Sequence, residues 1–552
     1  MKKRYKKFGT MLLAAAAFLL SGCIDEADLT SAVSSEQLSG NASSTEALLW
    51  GMSASLSMSD VLGDDRSDDY GIGSIMHILD IMGEEYVIEP HFYDWYDKWS
   101  MNEGVGANSS GVELVWVTLY RTCMTANALL GNINPQTAND TQKQYLAAGH
   151  AFRAAIYLDA ARMYEFLPND GKSQINKDGK DVFGLTVPFV FETTSEKDVR
   201  NNPRVFHTDA FNYIKEDLEK ALSFIEEVGC VEDKTLPGYY AVCGLLARAY
   251  MWHGSFLKEF GAHYDESLAA NDCFAAAARY AKAAQEGGVP LTKAQWTDVS
   301  TGFNTFNNAW LWGYSFSKEG TAVQSIINNW TSWASNEVSY GYAAVGPFVK
   351  VDARFYNRIP DTDFRKLSWK APQGHALYDL VGYCDKGMFD AMPDYASVKI
   401  RPGEGEPHDY NVASAVSVPL MRVEEMIFIE MEALAQMGRE DEAETLLTAF
   451  MRNHRNPDYQ YSGGNLIDEI FFQKRVELWG EGRNYFDYKR LNKGVTRRYE
   501  GSTFGGDAQM NTATRPAWMN LVLPDGEIDN NEAVRSYNNP DPSGCYVEDG
   551  AN

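Results

Sequence analysis

The residues whose spacing most plainly sets up a chemistry lie near the N-terminus. Leu20-Ser21-Gly22-Cys23 places small side chains directly before a cysteine. Ahead of it run Lys2, Lys3, Arg4, Lys6 and Lys7, then the apolar stretch Met11 to Leu20. A bilayer-spanning helix needs about 20 apolar residues, so this short stretch reads as a secretory leader. The four-residue string is similar to a bacterial lipobox, in which the cysteine thiol is acylated and becomes the mature N-terminus. Cys23 is therefore the expected lipidation site, the alternative being ordinary leader cleavage beside an incidental cysteine. Each buried CH₂ contributes about 0.8 kcal/mol and one chain alone is marginal, so several acyl chains would anchor the protein at a membrane.

No string elsewhere assembles a catalytic or metal-binding set. HExxH and GxSxG are absent, and the nine histidines are scattered without ligand spacing. Gly171-Lys172-Ser173 ends like a phosphate-binding loop, but Phe166 stands where its leading glycine belongs. Asp525, Asp529, Asn531 and Glu532 lack the EF-hand pattern and read as a solvated turn. Glu477 and Glu481 share a helix face, and paired acids at a set separation are what glycoside hydrolysis needs. With 76 acidic residues such pairs arise by chance. Beside Arg475, Arg483 and Arg490 they read as structural ion pairs. The expectation is a protein with no catalytic residue, no metal and no cofactor.

Binding chemistry is carried by aromatic clusters. Sugars present C–H faces that stack on Trp and Tyr rings, while amides and charged groups bond their hydroxyls. His91 to Trp99 holds Phe92, Tyr93, Trp95, Tyr96 and Trp99 with Asp94, Asp97 and Lys98 interleaved. As a helix this would make one apolar stripe, so binding and core remain open. Asn328-Asn329-Trp330-Thr331-Ser332-Trp333, followed by Asn336, Tyr340 and Tyr342, suits a sugar platform or a loop anchor. The expected ligand-binding residues are Trp95, Tyr96, Trp99, Trp330, Trp333 and Tyr342. Trp310, Trp312 and Tyr314 alternate as in a strand and read as packing.

The net charge is −27, and losing residues 1–22, with five cations and no acid, makes it more negative still. That field, without any basic stripe, excludes nucleic acid as a partner. The cysteines beyond Cys23, at 123, 230, 243, 273, 384 and 545, include no CxxC, and their pairing stays open. Cys123, Cys243 and Cys273 fall in helical patterns and read as buried thiols.

Stepping along the chain, residues 1–22 are the leader and 23–45 a flexible tether rich in Ser, Thr, Asp and Glu. Region 46–290 is helical by periodicity. Helices are expected at Val112 to Asn132, Gln144 to Phe166, 209–226, 239–256 and 270–286, paired like degenerate tetratricopeptide helices or another hairpin array. Residues 291–420 turn rich in Gly, Asn, Trp and Tyr and read as a loop-rich insert with a few short strands. Region 421–552 returns to helix at Val423 to Gln436, Glu440 to Met451 and Leu466 to Trp479, then ends in loops. The fold class is all-α, with a long irregular insert that suits a binding site on a rigid scaffold.

A series of motifs along this frame resembles the SusD/RagB family of Bacteroidetes nutrient-binding lipoproteins. They are Leu119-Tyr120-Arg121 to Ala126-Asn127; Ala151-Phe152-Arg153 to Tyr157 and Tyr164; Asp361 to Arg365; Arg422-Val423-Glu424-Glu425 with Glu430 to Ala433; and Arg475 to Arg483 with Phe486 to Arg490. Glu165-Phe166 replaces the family's glycine, and Met431 stands where alanine is common. The resemblance implies a SusD-like fold, no enzymatic activity, and a lipid-anchored position at the outer-membrane surface above a TonB-dependent, SusC-like transporter. It implies an oligosaccharide ligand, leaving open a peptide, as in some RagB-like members. A glycoside hydrolase or a pure assembly protein are the remaining readings. Asp25, Glu26 and Asp28 resemble the surface-export signal of such lipoproteins and equally suit an acidic tether.

Overall fold

Apolar periodicity sets most of the architecture. The computed structural model describes residues 42–63, 66–89, 96–261, 268–320, 325–345 and 347–546; Cys23 and Trp95 lie outside them. The chain opens with α1 (Ala42–Ser55), α2 (Ile72–Ile81) and α3 (Tyr96–Met101). It continues with α4 (Ser110–Asn132), α5 (Asp140–Tyr164), α6 (His207–Val228), α7 (Tyr239–Phe260) and α8 (Ala270–Gln285). After the short α9 (Trp330–Ala334) come α10 (Val423–Gln436), α11 (Glu440–His454), α12 (Leu466–Glu477) and α13 (Asn484–Arg490). The long helices fall where their spacing puts them. Two do not: α1 begins inside the expected tether, and α2, buried on every side, lies in a stretch where no helix is expected.

Local signals fix the helix ends. Asn139 caps α5 through a reciprocal box with Gln142, and α6 stops at Gly229, whose φ of 79° an L side chain rarely adopts. From α4 to α8 each helix packs on the next, α8 packs on α10, and α10 on α11 and α12. Small residues permit this closeness. A Cβ added at Gly254 of α7 would lie 3.0 Å from both Cys273 and Phe274 of α8. Cys123, Cys243 and Cys273 are buried, and the six described cysteines are free thiols.

The middle segment is irregular but not peripheral. β1 (Tyr86–Val87) pairs antiparallel with β3 (Lys350–Val351), and β2 (Trp310–Ser315) with β4 (Ser417–Arg422). Trp310, Trp312 and Tyr314 are buried, as their alternation requires. One apolar core runs from Leu49 to Val534 and takes in Trp310, Trp369 and Val398, so the loops share the helices' interior.

Charged motif residues hold that interior together. Arg365 bonds Asp363 at 2.7 Å and Glu477 at 3.2 Å, and Arg455 bonds Glu477 at 2.7 Å and Glu424 at 3.0 Å. Arg422 and Lys399 both reach Glu481, at 2.8 and 2.7 Å. All eight side chains are buried, and the four cations match the four acids. Burial alone would raise the Glu477 carboxyl, but Arg455, Arg422 and Arg365 outweigh it and hold it well below the usual range. Lys474 and Arg490 likewise overcome burial to hold Asp487 at about 2. The acid pair Glu477/Glu481 is thus occupied by cations.

Two outcomes follow from this network. Glu477→Ala leaves Arg365, Arg422 and Arg455 one carboxylate short in the core and should cost about 3–5 kcal/mol, read as a lowered urea midpoint. Carboxyls held below their unfolded values contribute stability that is present above about pH 4 and lost as pH falls towards 2. Urea midpoints measured between about pH 5 and 2.5 should therefore drop with acidification, and less so in Glu477→Ala.

Candidate functional site

The two aromatic clusters, more than 200 residues apart in sequence, meet in the fold. Helix α3 brings Tyr96 edge-on to Trp333 of α9 at 4.7 Å between ring centroids, and Trp333 stacks on Tyr342 at 3.8 Å and 20°. Asn329 caps α9 by accepting from the Ser332 N–H, which turns Trp330 and Trp333 inward. Segment 66–68 ties the rings down. The Trp333 indole donates to the Ser67 carbonyl at 2.8 Å, Tyr96 Oη donates to the Asp68 carbonyl at 3.0 Å, and Tyr342 Oη lies 2.9 Å from Ser67 Oγ. Beneath them His77 touches Tyr96 at 4.5 Å and meets Tyr86 Oη at 3.1 Å. Burial pushes its pKa down to about 3, so the imidazole is neutral.

This geometry alters the expectation of open rings. Tyr96, Trp99, Trp330, Trp333 and Tyr342 keep 0, 4, 3, 5 and 9% of their surfaces exposed. Their faces are spent on one another and on the core, because backbone carbonyls of 67–68 supply the polar partners that exposure would otherwise demand. Trp95 lies outside the described residues.

What opens to solvent is a cavity of about 270 Å³ beside this box. Trp99 forms its apolar wall, and Arg66, Lys98, Asn108 and Ser109 supply its polar groups. Arg66 is held by a two-pronged pair to Asp68, at 2.9 and 2.6 Å. Ser109 is the N-cap residue of α4, yet its side chain makes no capping bond. No acidic side chain lines the cavity, in a chain where acids outnumber cations 76 to 49. One ring edge amid several hydrogen-bond donors is a combination that suits hydroxyl-rich ligands.

Sequence reasoning found Trp99 and the interleaved Lys98. It missed Arg66, Asn108 and Ser109, which no local pattern marks. The acidic turn near the C-terminus does not converge: Asp525, Asp529 and Glu532 are exposed, and Asn531 turns inward to Asn202.

Comparison with known proteins matches this architecture. Residues 270–540 fit the model of the SusD family, and residues 76–251 fit a family described as starch-binding associating with outer membrane. A SusD-like carbohydrate binding protein from Bacteroides vulgatus shares the fold with a TM-score of 0.66 at 20% identity, over 89% of this chain and 96% of that one. A SusD superfamily protein from Bacteroides thetaiotaomicron gives 0.63 at 17%, over 90% and 99%. One from Bacteroides fragilis gives 0.61 at 17%, again over 90% and 99%. No curated protein matches the chain. The family spans lie in order along the chain and agree with the helical stack, the buried ion network and the motifs that build them: the chain belongs to the SusD/RagB family.

Proposed function

We propose that this protein captures oligosaccharide at the outer-membrane surface, held there by acyl chains on Cys23, and passes it to a TonB-dependent, SusC-like transporter. The carrying observation is the donor-lined cavity at Trp99, Lys98 and Asn108, backed by the ring box of Tyr96, Trp333 and Tyr342. The name of the matching family, starch-binding associating with outer membrane, supports both the ligand class and the location. No helix of the described residues is long and apolar enough to cross a membrane, which agrees with an anchor supplied by lipid. The acids best placed for hydrolysis are bound to buried cations, which favours binding over catalysis.

The edge of Trp99 would border the sugar while Lys98, Asn108 and Ser109 bond its hydroxyls. Lys98 and Asn108 are exposed, so their removal leaves the core intact. Lys98→Ala and Asn108→Ala should each weaken oligosaccharide binding by about 1–2 kcal/mol, roughly 5- to 30-fold in Kd by calorimetry, with little change in Tm. Heat of binding for peptides and none for any oligosaccharide would replace the glycan reading with the peptide one. Trp333→Ala behaves differently. It removes a buried ring, its stack and its bond to Ser67, and should cost about 3–5 kcal/mol of stability in urea unfolding.

A further inference from the structure

A second hollow, of about 590 Å³, lies between α1, the middle of α4, the loop before α7 and the end of β2. Trp50 and Phe316 form its apolar surface, and Ser53, Thr125, Thr235 and Ser317 surround them. Trp50 is the exception among the described tryptophans. It is 39% exposed, whereas each of the others is buried. Each 100 Å² of apolar surface left in water forgoes about 2.5 kcal/mol, so a partly exposed indole is a cost that a ligand's apolar face could recover.

The polar lining is equally particular. Among the described residues, the hydroxyls of Ser53, Thr235 and Ser317 make no hydrogen bond within the protein, and Ser53 and Thr235 are half-buried. A hydroxyl both donates and accepts, so three unspent ones can match a partner whose own groups do the same. None of the lining side chains is charged, although charged residues make up 23% of the chain. An anion or cation placed there would find no counter-charge and would lose hydration without return. The volume falls in the ~300–1,000 Å³ range of small-molecule sites.

We infer that the Trp50 hollow is a second binding site, for a neutral saccharide whose C–H face stacks on the indole and whose hydroxyls bond Ser53, Thr235 and Ser317. This rests on the reading of the protein as a glycan binder and adds to it a subsite of different character. The Trp99 cavity carries charged donors, while the Trp50 hollow carries hydroxyls only. The two would grip separate stretches of one chain, or separate chains.

The test is hydroxyl-radical footprinting of the full mature protein with neutral probes (malto-, cello-, xylo- and manno-oligosaccharides) and an acidic one, oligogalacturonate. At least one neutral probe should protect Trp50 from oxidation, and protection should persist undiminished in Lys98→Ala, which weakens binding at the other cavity. Trp50→Ala should weaken that probe's binding roughly tenfold at this site. Because Trp50 is exposed, the variant keeps its fold; Thr235→Val, which alters a rim hydroxyl alone, should weaken the same probe in the same direction. Protection at Trp99 and Lys98 with none at Trp50 would overturn the second site and leave the first standing. Protection of Trp50 by the acidic probe alone would overturn the ligand class. Protection nowhere, with any probe, would overturn both this site and the glycan reading.

Discussion

Four cations and four carboxylates enclosed together in the core impose the constraint on which the rest of this structure depends. A charge taken out of water costs several kcal/mol unless it meets an opposite charge in good geometry. Asp363, Arg365 and Lys399 come from the irregular middle segment, Arg422 and Glu424 from the β4–α10 junction, Arg455 from the end of α11, and Glu477 and Glu481 from α12 and the turn beyond it. None of these segments can be buried with its charges unless the others arrive. Trp296 lies over Arg422, Arg455 and Lys399 within 5.7 Å and shields them from solvent. The long insert is thereby made part of the helical body.

The same assembly reaches the candidate site through contiguous packing. Between Glu477 and Glu481, Trp479 donates to the Glu85 carbonyl at 2.9 Å and lies 4.7 Å from Tyr86. Tyr86 bonds His77, His77 touches Tyr96, and Tyr96 meets Trp333. Elsewhere, arginines without carboxylates do similar work. Arg497 donates to the carbonyls of Ile81, Gly83 and Ser100, and Arg204 to those of Tyr164, Thr186, Leu185 and Tyr537. Burial depresses both guanidinium groups, to about 10 and about 9. Loops without a sheet must still satisfy their carbonyls, and a buried arginine satisfies several at once. The loop-like C-terminal region is fixed in this way.

What was legible in the sequence follows from the range of the forces involved. Helices α4 to α8 and α10 to α12 show in their apolar period, most plainly α6, α8 and α11, which bury a single stripe. The alternation of Trp310, Trp312 and Tyr314 showed β2, although Trp310 to Tyr314 are buried on both faces. Helix α2 is only ten residues long and follows a stretch rich in Gly and Asp, and the first residues of α1, Ala42 to Thr45, continue the Ser/Thr-rich composition of the tether. For Trp330, Trp333 and Tyr342 the sequence left a sugar platform and a loop anchor both open, and their burial favours the anchor. Asparagines and serines beside a tryptophan look like a sugar platform, but here Asn329 caps α9, and Asn328 and the Trp333 indole donate to the carbonyls of Arg66 and Ser67, more than 200 residues away. Arg66, Lys98, Asn108 and Ser109 converge only after α3, the α4 start and segment 66–68 have packed.

An aromatic ring has two faces, and a face already stacked in the core cannot also bind a ligand. The stack of Tyr96, Trp333 and Tyr342 therefore contributes rigidity, holding segment 66–68 and α3 so that Arg66, Lys98 and Trp99 stand in fixed positions. Rigid donors lose little entropy when a ligand arrives, which raises affinity without new contacts. Trp50 stands at the other extreme, partly exposed and lining an open hollow. Buried rings that position and an exposed ring that touches are two uses of one residue type. Local sequence around each gives little sign of which is which, and only the long-range packing divides them.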